Sequence, residues 1–241
     1  MTVRTFADLD ALSRAAAEEL AAIARDAIAL RGVCHVALSG GSTPKHLFGV
    51  LARMGKAALP WDRIELWWGD ERTVPPDHPD SNYGMTRGAL LDPLGLDPAR
   101  VHRMRGEDRD PAAAATDYER ALVAAIGAPP VFDLVYLGMG PDGHCASLFP
   151  GSPAVEERAR FVVANPVDSP VAHGKTVRIT VTFPVIDAAR HVRFLAAGAD
   201  KAAMLAQVLS GKGALPSSRV TGADVQWLID RDAAGKLAEP G

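Results

Sequence analysis

The stretch LVYLGMGPDGHCASLFPGS, Leu134 to Ser152, decides how the rest of the chain is read. It opens on an apolar run short enough to be one buried strand. Gly138, Gly140 and Gly143 follow, interleaved with Pro141, Asp142 and His144. A glycine-rich turn at a strand end exposes N–H groups and holds anions. This turn adds a carboxylate and an imidazole, two residues apart.

The three glycines formally match G-x-G-x-x-G, and Asp168 stands near the place of a ribose-binding acid. The dinucleotide reading fails on two points. That fingerprint opens a long helix, whereas Pro150 follows six residues after His144. Pro141 also removes one N–H donor from the loop. Histidine is the side chain suited to taking a proton from water near neutral pH. Asp142 is placed to orient His144 or to supply a second carboxylate. The plainer reading is a histidine that caps a turn. Cys145 adjoins His144, but sequence neighbours rarely face one another as nucleophile and base, so Cys145 reads as packing.

Outward from this turn, helical and strand patterns alternate. Asp8 to Leu30 reads as a helix stopped by Gly32, and VCHVALSG as a buried strand. Pro44 suits the first turn of a helix that KHLFGVLARM continues. RIELWWGDE reads as a second strand, RTVPPDHPDSN as a polar loop and YGMTRGALL as helix. DPAAAATDYERALVAAIG is a helix capped by Asp110. VFDLVYLGMG, RFVVANP, TVRITVTFP and VRFLAAGA read as further strands. DKAAMLAQVLSG is a helix closed by Gly211, DVQWLIDRDAAGKL a last strand and helix, and AEPG a frayed tail. The pattern predicts an α/β fold of one domain spanning residues 1–241. It has three layers, a mainly parallel sheet with helices on both faces. Ligands then sit where loops leave the carboxyl ends of strands.

Composition narrows the class. The chain has 241 residues, 48% hydrophobic and 23% charged, as ordinary globular proteins do. A net charge of −3 without a basic run argues against nucleic-acid binding. The N-terminal residues have no secretory apolar core, and no apolar run approaches the ~20 residues of a membrane span. Cys34 and Cys145 form no disulfide framework and read as free thiols in a reducing cytosol. Nothing in the composition speaks to oligomeric state.

Three more loops carry polar chemistry. LSGGSTPKHLF, from Leu38 to Phe48, places Gly40, Gly41, Ser42 and Thr43 at a helix N-terminus, an anion site that lacks P-loop spacing. WWGDERTVPPDHPDSNYGM crowds Asp70, Glu71 and Arg72 at a strand end. Arg72 can clamp a phosphate or carboxylate, while the plainer reading is a solvated charge cluster. In AAGADKAAML, Asp200 caps a helix and Lys201 stands in its first turn, where a cation opposes the dipole unless an anion is near. Arg178 in TVRITVTFP can point the same way. Together the loops predict a phosphate cradle, two or three cations and one general base, with no metal-ligand spacing.

The blocks SGGSTPKHLF, WWGDERTVPPDHPDSNYGM, DLVYLGMGPDGHCASLFPGS and RITVTFPVIDAARHVRFLAAGADKA occur in the order seen in one family. They resemble the glucosamine-6-phosphate isomerase/6-phosphogluconolactonase family, and its lactonase branch in particular. The resemblance implies a modified Rossmann-like fold with no metal or organic cofactor. It also implies a cytoplasmic hydrolase of the pentose phosphate pathway, opening 6-phospho-D-glucono-1,5-lactone. His144 matches the family's general base, with Asp142 orienting it. Gly41, Ser42, Thr43, Asp70, Arg72, Gly140 and Lys201 fall in blocks around the substrate, with Arg178 a further candidate at the phosphate end. N–H groups of the Gly138–Gly143 turn, or Arg72, are expected at the oxyanion. The family usually has threonine where this chain has Cys145. Two alternatives stand beside this reading. One is an amino-sugar-phosphate isomerase/deaminase, whose FNEP is SLFP here, Ser147 to Pro150, without the glutamate that pairs with the histidine. The other is a sugar-phosphate-binding regulator, disfavoured because no basic recognition helix precedes the first helix.

Overall fold

Every residue of the strand CHVAL, Cys34–Leu38, is buried. That is the signature of a parallel strand covered on both faces. A computed structural model describes residues 1–211 and 214–237. The tail AEPG, read above as frayed, lies outside the described residues.

Single turns aside, the elements run as follows. The first half comprises β1 (Thr2–Phe6), α1 (Leu9–Arg31), β2 (Cys34–Leu38), α2 (Ser42–Met54), β3 (Ile64–Trp68), β4 (Asp70–Arg72), α3 (Asn82–Thr86), α4 (Asp92–Leu94) and α5 (Pro111–Ile126). The second comprises β5 (Leu134–Leu137), β6 (Val162–Ser169), β7 (Gly174–Val181), α6 (Phe183–Ala188), β8 (His191–Ala196), α7 (Ala202–Leu209), β9 (Val225–Asp230) and α8 (Arg231–Ala234). Six strands form one parallel sheet in the order β1-β9-β8-β5-β2-β3.

Side-chain alternation along these strands builds two cores. Val36, Leu38, Trp68 and Tyr136 pack with α1 and α2 on one face. Ala37, Trp67, Val135 and Leu137 pack with α5, α6 and α7 on the other. The three-layer α/β arrangement follows from that alternation. The ends of α1 are set by Asp8, whose Oδ1 accepts the Ala11 N–H at 2.8 Å, and by Gly32 at φ 78°.

The structure departs from the sequence pattern in three places. RIELWWGDE is not one strand. It breaks at Gly69, so that β3 ends in the parallel sheet and β4 begins a second, three-stranded sheet, β4-β7-β6. Gly69 joins the two: its N–H donates to Leu38 O and its carbonyl accepts from Val181 N, both at 2.9 Å. Strands β6 and β7 are an antiparallel hairpin. The cue was two strand patterns in succession with no helix between them. Residues 2–6 form an edge strand that the sequence reading left unassigned. Its residues are exposed or only partly buried, so it carries no apolar pattern.

At the opposite end of the sheet from these breaks, the buried Arg193 pairs with Glu19 at 2.7 Å and with Asp224 at 2.7 Å, and His191 also meets Asp224 at 2.7 Å. Partial burial pushes the Asp224 carboxyl up, but hydrogen bonds from Arg193, His191 and Gln226 outweigh it and hold it well below the usual range. A depressed folded-state pKa contributes stability above the unfolded value, near 3.9, and that stability is lost as pH falls. Urea unfolding of Asp224→Asn should therefore show lower stability than wild type at pH 7. It should also show a shallower loss below about pH 4; an unchanged acid slope would remove Asp224 from the network.

Candidate active site

The site begins at the carboxyl end of β2. Gly41, at φ 103°, precedes α2 with no side-chain cap, and no acid stands in the first turn. The free N–H groups of that turn and the helix dipole favour an anion. Gly40 must be glycine: an added Cβ would lie 1.8 Å from Asn82 Oδ1. The loop therefore presses directly on α3.

Strand β4 organises the next wall. Asp70 is 6% exposed. It accepts from Ser147 Oγ at 2.7 Å and from Asn82 Nδ2 at 3.3 Å. Glu71 is buried too. It accepts from the N–H groups of Arg72, Asn82 and Tyr83, each at 2.8 Å, and from Ser81 Oγ at 3.0 Å. Burial raises the Glu71 pKa, and the three backbone donors only partly offset it. The Asp-Glu-Arg stretch is thus no solvated cluster. It pins the start of α3 beside Gly40. Arg72 donates to Asp80 O at 2.6 Å and is not paired with Asp70.

His144 and Asp142 form a pair, Nδ1 to Oδ1 at 2.6 Å. Partial burial pushes Asp142 up, but the His144 hydrogen bond and charge outweigh it and leave its pKa below the usual value. An ionised Asp142 accepts the Nδ1 proton, leaving Nε2 as the basic nitrogen. Nε2 has no protein partner among the described residues. The ring presses on Gly140, where an added Cβ would lie 2.0 Å from Nδ1. It also stacks on Phe149, centroids 4.1 Å apart. Phe149 stands where the deaminase pattern has its glutamate.

An open cleft brings most of the expected residues together: Gly41, Ser42, Thr43, Asp70, Arg72, Gly140, His144 and Lys201 all line it. Asp142 stands outside this lining, behind His144. Arg178 is also outside it. Arg178 faces Arg72 across the β4–β7 register, and its buried Nε has no protein partner. Burial and the charge of Arg72 lower the Arg178 pKa.

Other expectations change. Asp200 caps no helix; it is exposed and lies 3.6 Å from Lys201 Nζ. The chain enters α7 through Gly198, and the Gly198 N–H is held by Asp230 at 3.0 Å. The N–H groups of Gly140, Gly143 and His144 donate to His144 O, Gly140 O and Asp142 Oδ1. Cys145 is fully buried, its thiol pushed up to about 12 by desolvation, and it packs in the core. Asn82, Ser147 and Phe149 were missed. Only their position inside the quoted blocks pointed to them, because the contacts they make cross between loops.

An uncapped helix N-terminus, two cations and a histidine–aspartate pair around one cleft define a site for an anionic substrate and proton transfer. Residues 7–229 match the family described as glucosamine-6-phosphate isomerases/6-phosphogluconolactonase. A 6-phosphogluconolactonase of Streptomyces coelicolor is 41% identical over 247 residues, covering 95% of this chain and 92% of the relative. The solved 6-phosphogluconolactonase of Trypanosoma cruzi superposes with a TM-score of 0.86 at 32% identity, covering 98% of this chain and 97% of that one. A monomeric glucosamine-6-phosphate deaminase shares the fold, with a TM-score of 0.84 at 23% identity and coverage of 98% of this chain and 100% of that one. The chain belongs to the glucosamine-6-phosphate isomerase/6-phosphogluconolactonase family.

Replacing Glu71 by Gln puts an amide NH₂ among four donors. Thermal unfolding should report a loss of about 2–3 kcal/mol, and unchanged stability would show that the carboxylate does not anchor α3.

Proposed function

We propose that the protein hydrolyses 6-phospho-D-glucono-1,5-lactone to 6-phosphogluconate, a step of the pentose phosphate pathway. The observation that carries the mechanism is the 2.6 Å His144–Asp142 pair on the wall of a cleft shared with the α2 N-terminus and Lys201. The phosphate docks on the first-turn N–H groups of Ser42 and Thr43 after Gly41, with Lys201 and Arg72 supplying positive charge. Arg178 adds to the positive field from behind Arg72. The lactone carbonyl then lies near His144.

Nε2 takes a proton from water as the water oxygen bonds to C1. Asp142 stabilises the imidazolium. The oxyanion is met by Arg72 or by the remaining N–H groups of the Gly138–Gly143 turn, those at positions 140, 143 and 144 being already engaged. The tetrahedral intermediate collapses with cleavage of the C1–ring oxygen bond, and His144 returns its proton to that oxygen. Asp70 holds Asn82 and Ser147 and shapes the cleft from β4. The reaction draws on no metal or organic cofactor. Phe149 in place of a glutamate favours lactone hydrolysis over deamination, because no second acid reaches the histidine from that side.

We further read residues 1–241 as one domain acting on a small sugar phosphate in the cytoplasm. The matched span, the two buried thiols Cys34 and Cys145, and the net charge of −3 support that reading.

The test is lactone hydrolysis with substrate generated in situ, against buffer alone. His144→Ala should lower kcat by about 10²–10⁴-fold with KM little changed. Lys201→Ala should raise KM by about tenfold and leave kcat largely intact. Gly140→Ala should behave like His144→Ala, because its Cβ displaces the imidazole. Near-normal turnover by His144→Ala would overturn the base; acid release no faster than in buffer would overturn the reaction.

A further inference from the structure

We infer that Phe149 is a positioning residue that sets the direction of His144 Nε2, and that the overhanging β6–β7 hairpin holds it there. Only the kinetic consequence rests on the lactonase reading.

The Asp142 hydrogen bond fixes one point of the imidazole. With the Cβ–Cγ bond it still leaves the ring plane room to tilt. Phe149 removes that freedom by stacking at 4.1 Å with an interplanar angle of 25°. Gly140 bounds the ring at Nδ1 and Cε1, where an added Cβ would lie at 2.0 and 2.1 Å. The aromatic face also suits the imidazolium formed when the base is protonated. Phe149 itself is 5% exposed and absent from the cleft lining, so it acts on His144 and not on substrate.

Phe149 belongs to neither main core. It packs in a separate small cluster with Val167 and Ala172, with Val171 against them. Those partners come from the far part of the hairpin. Strand β4 pairs with β7 only from Arg178 to Thr180, whereas the β6–β7 register continues to Ser169↔Gly174. The hairpin thus runs beyond its sheet, and its overhang closes on Phe149. The Phe149 carbonyl is fixed as well, accepting from Ser152 N at 3.0 Å and Ser152 Oγ at 2.8 Å.

Two variants separate positioning from bulk packing. Phe149→Leu keeps apolar volume and loses the flat face; Phe149→Tyr keeps the face. Phe149→Leu should lower kcat about ten- to hundredfold with KM within about twofold, and Phe149→Tyr should restore most of kcat. In histidine-labelled protein, the His144 ring protons are assigned by their absence from His144→Ala. Their upfield ring-current shift should vanish in Phe149→Leu and persist in Phe149→Tyr. A folded Phe149→Leu with near-normal kcat, or with kcat and KM impaired alike, overturns the proposal and leaves the lactonase reading standing. An unchanged ring-proton shift in Phe149→Leu overturns it as well. The NMR readout needs no turnover, so an inactive wild type would defeat the lactonase reading while the shifts still decide this one.

Discussion

Two carboxylates are buried where the chain crosses from the parallel sheet to the second sheet, and both are met by donors. Glu71 takes four hydrogen bonds and Asp70 takes side-chain bonds from Ser147 and Asn82. A buried carboxylate left unpaired is among the costliest features a fold can carry. These two are tolerable only if the loop after β4 returns to present Ser81, Asn82 and Tyr83. The same return brings Asn82 against Gly40, while Asp70 ties Ser147 to β4. Three loops are thereby locked together by groups that need not touch the substrate.

The site depends on that lock because its parts come from separate strand ends. The α2 N-terminus follows β2, the Asp142–His144 turn follows β5, and Lys201 follows β8. Those three strands are neighbours in the parallel sheet, so their loops emerge side by side. Arg72 comes instead from the second sheet. The break at Gly69 carries it there: continued as one strand, residues 70–72 would have extended the parallel sheet's edge.

How much of this was legible in the sequence varied with the range of the interaction. Helix α1 was readable because its signals are local: Asp8 caps it and Gly32 ends it. The buried parallel strands were readable because burial on both faces makes short segments such as LVYL mostly apolar. The Asp142–His144 pair lies within one turn, and its spacing suggested it. Arg72 and Lys201 could be nominated from the charge they bring to strand ends. Glu71 could not be told from a solvated acid, since what buries it arrives 10 to 12 residues later. The role expected of Asp200 failed for the same reason in reverse. The acid that holds Gly198 is Asp230, 32 residues away and next door in space.

A histidine–aspartate pair two residues apart would be poorly oriented if left to a flexible loop. The turn stiffens it by closing on itself, with Gly140 N–H bonded to His144 O and Gly143 N–H to Gly140 O. Gly143 at φ 79° and Ala146 at φ 48° give the chain the left-handed bends this requires. The cost is that three N–H groups, those of Gly140, Gly143 and His144, are turned inward to partners within the turn. The histidine–aspartate pair and the Arg72 cation thus come from different elements. The β5 turn supplies the first, and the second sheet supplies the second. The bond between Asp70 and Ser147 holds these two elements at a fixed separation. A buried hydrogen bond at the edge of the cleft thus sets the spacing of two of its walls.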